Sequence, residues 1–199
     1  MMSFRKMDEQ EQSETTMEYI QQLDKLAKLT GESREALADQ MATQQFDAQL
    51  EAAMDVQGIM DAGAHGVIVP MVNTSEEART AVSAVKYPPE GSRSIGLARA
   101  QGYGPRFLEY FNWQRENSLV VVQIEHINAV DNLEAILTVK GVDAYIVGPY
   151  DLSGSLGLPG QFDAPEYVES MAKILSVSNQ LGVPGGVHIV EPDPAQLRL

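Results

Sequence analysis

The stretch from Leu119 to Leu158 constrains the fold more than any other part of this chain. It opens with Leu-Val-Val-Val-Gln-Ile, an apolar run rich in β-branched residues, which predicts a buried parallel strand. A helical pattern follows from Ala129 to Thr138, with Gly141 expected as its left-handed C-cap, and a second strand is predicted from Ala144 to Val147. A strand, a crossover helix and a strand in this order predict a parallel sheet of the α/β class.

Two acidic residues follow these two strands. Glu125 comes directly after the first strand, and Asp151 follows the second within Gly-Pro-Tyr-Asp-Leu-Ser. Neighbouring parallel strands lie about 5 Å apart and end at one edge of the sheet, so both carboxylates can approach the same small cation. Two carboxylates and several waters suit Mg²⁺ or Mn²⁺. The alternative is that each acid caps a helix or pairs with a lysine, and spacing alone leaves both open.

Three sequence strings together resemble one known family. They are Gly-Ala-His-Gly-Val-Ile-Val-Pro-Met-Val from Gly63, Val-Gln-Ile-Glu ending at Glu125, and the string around Asp151. The combination resembles the HpcH/HpaI aldolases, class II pyruvate aldolases that include dihydroxyheptenedioate and 2-dehydro-3-deoxyglucarate aldolases. The resemblance runs from Asp61 to Leu199. It implies a (β/α)₈ TIM barrel and a metal-dependent carbon-carbon lyase, with Glu125 and Asp151 holding the divalent cation. It also implies a pyruvate-type 2-oxo acid and an aldehyde as partners.

The barrel is expected to be partial. The chain has 199 residues, fewer than the roughly 250 typical of a complete barrel. Four strands are predicted, beginning at Val67, Leu119, Ala144 and Gly185, and the resemblance matches them to strands four to seven of eight. We therefore expect an incomplete TIM-barrel domain over residues 63–199, with helices over 76–85, 107–117 and 165–181. A helical head over 1–62, disordered at its start, is predicted to precede it. Open sheet edges favour association, so a homo-oligomer is expected.

Polar residues near the strand ends are candidates for catalysis. Gln123 shares strand parity with Glu125, which predicts that both face the barrel interior and that Gln123 contacts substrate. The alternative is a polar side chain satisfied by neighbouring backbone. His188 lies near the end of the last strand and can carry a proton near neutral pH. A buried core histidine is the reading that we favour. His65 and His126 are interpreted as structural, because His65 precedes its strand and His126 has the opposite parity to Glu125.

A substrate carboxylate needs donors, and two segments are candidates to provide them. The backbone around Gly148, Pro149 and Ser153 is predicted to form a nest of amides for the acid group of pyruvate. The alternative is an ordinary connection between strand and helix. The Gly-rich segment 92–104 is predicted to be a mobile loop in which Arg93 and Arg99 approach an anion. Against this, loop arginines are usually solvated.

Composition excludes several classes of function. Lys and Arg number 14 against 28 for Asp and Glu, and the formal net charge of −14 opposes binding to nucleic acid or to anionic membranes. The sequence has no cysteine, which excludes disulfides, thiolate metal sites and a cysteine nucleophile. It contains no apolar run of signal-peptide or membrane-spanning length, so a cytoplasmic protein is expected.

The chain also departs from the family that it resembles. Members of the family carry a base histidine in an Asp-x-Glu-His string after the second strand and a carboxylate-binding arginine after the third. Neither string occurs in this sequence. Two hypotheses follow: a metal-dependent aldolase with weakened activity, or a catalytically impaired relative that serves as a binding or assembly module.

Overall fold

The computed structural model describes Ser33 and residues 55–189. The chain divides into two compact units, Met1–Glu51 and Ala52–Leu199. Every helix and strand that is described belongs to the second unit. The head helices predicted before residue 55 and the disordered start therefore lie outside the described residues, and the head boundary at residue 62 stays a prediction.

Four parallel strands form one sheet in chain order. They are β1 Gly66–Val69, β2 Leu119–Ile124, β3 Ala144–Val147 and β4 Gly185–Val187. Each strand pairs in parallel with the next, which confirms the predicted α/β class and the four strands. β4 was predicted to reach Val190 but ends at Val187. β3 itself ends at Val147, so the last rung of the ladder is the His188 N–H donating to the Val147 carbonyl at 2.9 Å.

Helices connect the strands. Residues 55–61 are helical, and the α-helices that follow are α1 Ser75–Val85, α2 Phe107–Asn117, α3 Ile127–Asp131, α4 Leu133–Leu137, α5 Pro149–Ser155 and α6 Pro165–Leu181. The predicted bounds of α2 and α6 are confirmed. α1 begins with the capping box of Thr74, whose hydroxyl accepts the Glu77 N–H while the Glu77 side chain accepts the Thr74 N–H.

Two helical predictions were wrong. The single helix expected from Ala129 to Thr138 is instead the pair α3 and α4, interrupted at Asn132, whose side-chain amide donates to the Asn73 carbonyl at 2.9 Å. Gly141 has a φ of 100° but lies beyond the helix, whose C-cap is Thr138. The segment from Gly148 to Ser153 was predicted to be a nest of amides, with an ordinary connection as the alternative, and it begins α5, because Pro149 at the first helical position favours helix initiation.

The helices cover one face of the sheet. The strand residues on that face are buried with helix residues such as Ile136 and Ile174: Val67, Val120, Val122, Ile124, Tyr145 and Val147. On the opposite face, which points inward in a closed barrel, Ile68 is 56% exposed and Leu119 50% exposed. Within the described ranges the sheet is therefore an open barrel wall with an apolar inner surface.

Arg93 contradicts the expectation of a mobile anion-binding loop. Its side chain is buried, and its guanidinium donates to Asp61 Oδ1 at 2.6 and 3.1 Å and to the Tyr110 hydroxyl at 3.0 Å. The Tyr87 ring centroid lies 4.5 Å from the guanidinium carbon. Arg93 therefore anchors the segment after α1 to the helix of residues 55–61, and it is not available to a substrate.

Candidate metal and substrate site

Glu125 is a buried carboxylate at the carboxyl end of β2. Its Oε1 accepts the Met71 N–H at 2.8 Å, and its Oε2 accepts the Gln123 side-chain amide at 2.5 Å. Both donors are neutral, and none of the ion pairs in residues 55–189 involves Glu125. Buried charges in proteins are normally paired or bound to a metal. The Glu125 carboxylate therefore has the character of a cation ligand.

Met71 was missed by the sequence reasoning. It follows β1 and Pro70, has a φ of 54° and is 49% exposed. A non-glycine residue rarely adopts this left-handed conformation, and such conformations cluster at functional sites. The hydrogen bond from its N–H to Glu125 connects the chain just after β1 to the end of β2. The strand-ending Pro70 is the signal in the sequence that a turn begins there.

Gln123 and Gly148 complete the surroundings of Glu125. Gln123 lies on the same side of β2 as Glu125, as strand parity predicted, and its amide orients the carboxylate. Gly148 follows β3, and its N–H donates to the Ile124 carbonyl at 3.2 Å. The Gly148 amide is thus used within the sheet and cannot also hold a substrate carboxylate.

Asp151 lies in the first turn of α5, directly after β3. Its side chain is exposed and makes no hydrogen bond or ion pair with any described residue, and α5 has no side-chain cap. β2 and β3 are neighbours, so Glu125 and Asp151 both lie at the carboxyl edge of the sheet. No group of three or more His, Asp or Glu in the described ranges is arranged to hold an ion. Glu125 and Asp151 are therefore candidate ligands from their places at this edge alone.

His188 lies at the same edge. It follows β4 directly, and its side chain is exposed, so the favoured expectation of a buried core histidine was wrong. The cause is the early end of β4, which leaves His188 beyond the last pair of strand residues. The imidazole is therefore exposed at the edge of the sheet that carries Glu125 and Asp151.

Two of the predicted substrate-binding residues, Pro149 and Ser153, are buried in α5. Ser153 is fully buried, where its hydroxyl donates to the Tyr150 carbonyl at 2.9 Å and accepts the Gly160 N–H at 3.0 Å. Pro149 is buried and has no N–H. Because the Leu152 N–H donates to Gly148, helix geometry leaves the Tyr150 and Asp151 amides without an intrahelical acceptor. The predicted nest at Gly148, Pro149 and Ser153 is therefore wrong for these residues, and the amides that this turn leaves without an acceptor are those of Tyr150 and Asp151.

Arg99 is not brought to this edge. It is exposed in a short 3₁₀ helix, Arg99–Gln101, and its neighbour Ala100 lines a cavity of about 220 Å³ together with Gly63 and His65. Those two residues precede β1, so the cavity lies at the amino edge of the sheet, opposite Glu125. The expectation that Arg99 binds the same substrate as Glu125 is therefore corrected for this chain.

The other two histidines have structural surroundings, as expected. The His65 ring packs against Trp113 with their centroids 4.6 Å apart, at the amino edge of the sheet. His126 is the N-cap of α3, and its Nδ1 accepts the Asn128 N–H at 3.1 Å. A ring nitrogen that accepts this bond holds the start of α3 in place.

Comparison with known proteins identifies a matching family and several similar proteins. Residues 33–198 match the family model described as HpcH/HpaI aldolase/citrate lyase. A hydroxypyruvate/pyruvate aldolase of Sagittula stellata is 39% identical over 136 residues, covering 68% of this chain and 53% of that protein. A 2-keto-3-deoxy-L-rhamnonate aldolase of Escherichia coli is 38% identical over 143 residues, covering 71% of this chain and 53% of that protein.

A solved structure agrees with these relatives. The crystal structure of an HpcH/HpaI aldolase from Desulfitobacterium hafniense DCB-2 matches with a TM-score of 0.65 and 35% identity, covering 73% of this chain and 56% of that one. The fold is therefore a partial TIM barrel, as the sequence predicted. The chain spans about half the length of the curated relatives that it matches. No helix in the described residues is long and apolar enough to cross a membrane.

Proposed function

The chain belongs to the HpcH/HpaI aldolase/citrate lyase family, and we propose on that basis that it is a metal-dependent carbon-carbon lyase acting on pyruvate-type 2-oxo acids. The observation that carries the proposal is Glu125, which is 4% exposed and whose carboxylate accepts hydrogen bonds from two neutral donors among residues 55–189. A buried anion that has no cationic partner in this part of the chain, at the same edge of the sheet as the exposed Asp151, has the composition of a divalent-metal site.

The residues present fit Mg²⁺ or Mn²⁺. A carboxylate has about four lone-pair positions, and Glu125 uses two of them for Met71 and Gln123. Asp151 uses none of its side-chain positions within the described chain. Hard oxygen ligands of this kind are those that both ions prefer, and two protein ligands leave positions for water and substrate. When bound, the ion would polarise the 2-oxo group and so favour loss of a methyl proton.

The roles of the protein groups follow from their positions. Gln123 holds the Glu125 carboxylate in one orientation, and from its place on the inner face it is also proposed to contact the substrate. The Tyr150 and Asp151 amides are the donors proposed for the substrate carboxylate, and Gly148, Pro149 and Ser153 hold that turn of backbone. A ring nitrogen of His188 is the proposed acceptor of the methyl proton, because His188 is the exposed imidazole after β4.

The proposed substrates are a 2-oxo acid and an aldehyde, consistent with the aldolase names of the relatives.

The chain is also proposed to act as a homo-oligomer in the cytoplasm. Support for self-association comes from the exposed Ile68 and Leu119 on the inner face of the sheet. Sedimentation at micromolar concentrations tests this, and a monomer throughout would contradict it.

Exchange of the pyruvate methyl hydrogens in deuterated water tests the activity without knowledge of the aldehyde. We expect exchange that requires Mg²⁺ or Mn²⁺ and that is abolished in Glu125→Gln and Asp151→Asn. A missing general base typically lowers rates by about 10²- to 10⁴-fold, so His188→Gln should slow exchange without weakening Mn²⁺ binding.

Glu166→Gln is the matched control for Asp151. Glu166 is also an exposed acid in the first turn of a helix that begins with proline, but it follows no strand of the sheet directly. Exchange in this variant should equal that of the unaltered chain. Mn²⁺ binding without any exchange would contradict the lyase proposal and support the binding-module hypothesis.

A further inference from the structure

The surroundings of Gly148 raise the question of why this position has no side chain. Gly148 has φ −96° and ψ 95°, a conformation open to any residue. Glycine is therefore not needed here for backbone reasons, unlike a position with positive φ. The reason must lie in what faces the Cα atom.

Two side chains occupy the space that a Cβ would take. A Cβ built on Gly148 would lie 2.7 Å from Glu125 Oε2, 2.9 Å from Gln123 Nε2 and 2.9 Å from Glu125 Cβ. The strand register accounts for this, because Ile124 pairs with Val147 and the next positions, Glu125 and Gly148, continue the ladder. The Glu125 and Gln123 side chains thus lie directly over the Gly148 Cα.

We propose that Gly148 is a positioning residue, whose missing side chain leaves the space in which Gln123 and Glu125 pair and in which Glu125 reaches the Met71 N–H. This inference deepens the proposed function, on which its link to metal binding rests. It also assigns Gly148 a role different from the substrate contact that the sequence suggested, since the Gly148 N–H is already bonded to Ile124.

The chemistry of the clash predicts a specific phenotype. Two of the three atoms that would be crowded are the far ends of flexible side chains, which move at little cost to the fold. Gly148→Ala should therefore displace the carboxylate and, because the third atom, Glu125 Cβ, is fixed to the backbone, should also lower the free energy of unfolding moderately. Removal of groups that orient metal ligands typically weakens metal affinity by about 10- to 100-fold. A loss of that size is expected for Mn²⁺.

Two other glycines provide matched controls. A Cβ at Gly154, in α5, meets no atom within 4 Å, so Gly154→Ala should leave the site unchanged and should stabilise the fold slightly, because alanine favours a helix over glycine. A Cβ at Gly66 would lie 2.5 Å from the Leu119 carbonyl oxygen, which is backbone. Gly66→Ala should therefore destabilise the fold, and it shows what a purely structural glycine does.

The experiment reads the carboxylate position without relying on metal or activity. The backbone amide resonance of Met71 is recorded by NMR in the full-length chain, in Gly148→Ala and in Glu125→Ala, whose Met71 N–H has lost its acceptor. In Gly148→Ala the resonance should move to the Glu125→Ala position, and exchange of this amide with solvent should accelerate about tenfold, since hydrogen bonds to charged groups contribute about 1.5–3 kcal/mol.

The outcomes separate this inference from the proposed function. An unaltered Met71 resonance in a folded Gly148→Ala variant overturns the inference, whatever the metal does. If the unaltered chain binds no Mn²⁺ but the resonance moves as expected, the positioning role stands and the metal site fails. If the chain binds Mn²⁺ and Gly148→Ala binds it equally well, the inference is overturned and the proposed function stands.

Discussion

Arg93 and Glu125 are the two charged side chains that are buried in the described part of the chain, and their surroundings differ in kind. The Arg93 guanidinium forms an ion pair with Asp61 at 2.6 Å and lies over the faces of the Tyr87 and Tyr110 rings. Within residues 55–189, the Glu125 carboxylate accepts hydrogen bonds from a backbone N–H and a side-chain amide, both of them neutral. The first arrangement is complete without any further group, whereas the second leaves a net negative charge for a ligand to satisfy. A buried charge is thus informative about function when its counter-ion is missing.

The largest effect is expected for Arg93→Met. Removing one member of a buried ion pair leaves the other uncompensated, which typically costs about 3–5 kcal/mol. Asp61 is 32% exposed, so we expect the lower end, about 3 kcal/mol. Urea unfolding measures the change, with the exposed Arg79→Met as control. If Arg93→Met loses no more stability than Arg79→Met, the buried ion pair is not stabilising and the contrast between Arg93 and Glu125 fails.

Glu125→Gln should have the opposite effect to Arg93→Met, with a small change in stability and a large change in Mn²⁺ affinity. The Gln carbonyl can still accept one of the two hydrogen bonds, so the free energy of unfolding should change by less than about 1 kcal/mol. Mn²⁺ affinity should fall about tenfold or more, because a carboxylate ligand is lost. Calorimetric titration and urea unfolding on the same samples give both numbers. A large loss of stability with unchanged Mn²⁺ affinity would show that Glu125 is structural, as Arg93 is.

The pH dependence of stability sharpens the Arg93 side of the comparison. Burial raises the pKa of Tyr87 above its ordinary value near 10. The folded protein then keeps a proton that the unfolded chain releases, so this contribution is present below pH 10 and is lost as the pH rises above it. We expect the free energy of unfolding to fall as the pH rises above 10. Tyr87→Phe should flatten that fall, while the exposed Tyr150→Phe should not.

The smallest effect is expected for Lys173→Met. Lys173 donates to Asp131 at 2.8 Å, nearly the distance found for Arg93 and Asp61, but both side chains are about half exposed or more. Solvent screening makes such pairs worth less than about 0.5 kcal/mol. A double-mutant cycle with Asp131→Asn isolates the coupling. A coupling equal to that between Arg93 and Asp61 would mean that distance, and not burial, sets the strength.

Local sequence patterns predicted most of the fold. The bounds of β2 and β3 follow from β-branched runs, and α1 follows from the cap at Thr74. Each wrong prediction of secondary structure depended on a contact with a residue distant in the sequence, or on a local context that composition does not reveal. Asn132 interrupts the expected helix because it bonds to Asn73, 59 positions away. α5 was not predicted, because the glycines and serines around Asp151 are typical of loops, although Pro149 favoured a helix start.

The sequence predicted the acidic residues of the candidate site, but it did not predict the residues that hold them in place. Strand ends placed Glu125 and Asp151 at one edge, and parity placed Gln123 beside Glu125. The left-handed Met71 could not be predicted, because its conformation is tied to a carboxylate 54 positions later. The burial of Arg93 likewise depends on Asp61, 32 positions earlier. His188 was misjudged because the end of β4 is set by where β3 ends.

The order of the strands in the sheet is the same as their order in the chain, and this has a consequence for synthesis on the ribosome. Each strand emerges when its partner has already been made, so the sheet can grow in one direction without rearrangement. Of the three ladders, the one between β2 and β3 is closed by the shortest connection. Loop-closure entropy therefore favours this pair as the first to form. The same two strands end directly before Glu125 and Gly148, so the proposed metal site is expected to be assembled around the folding nucleus of the domain.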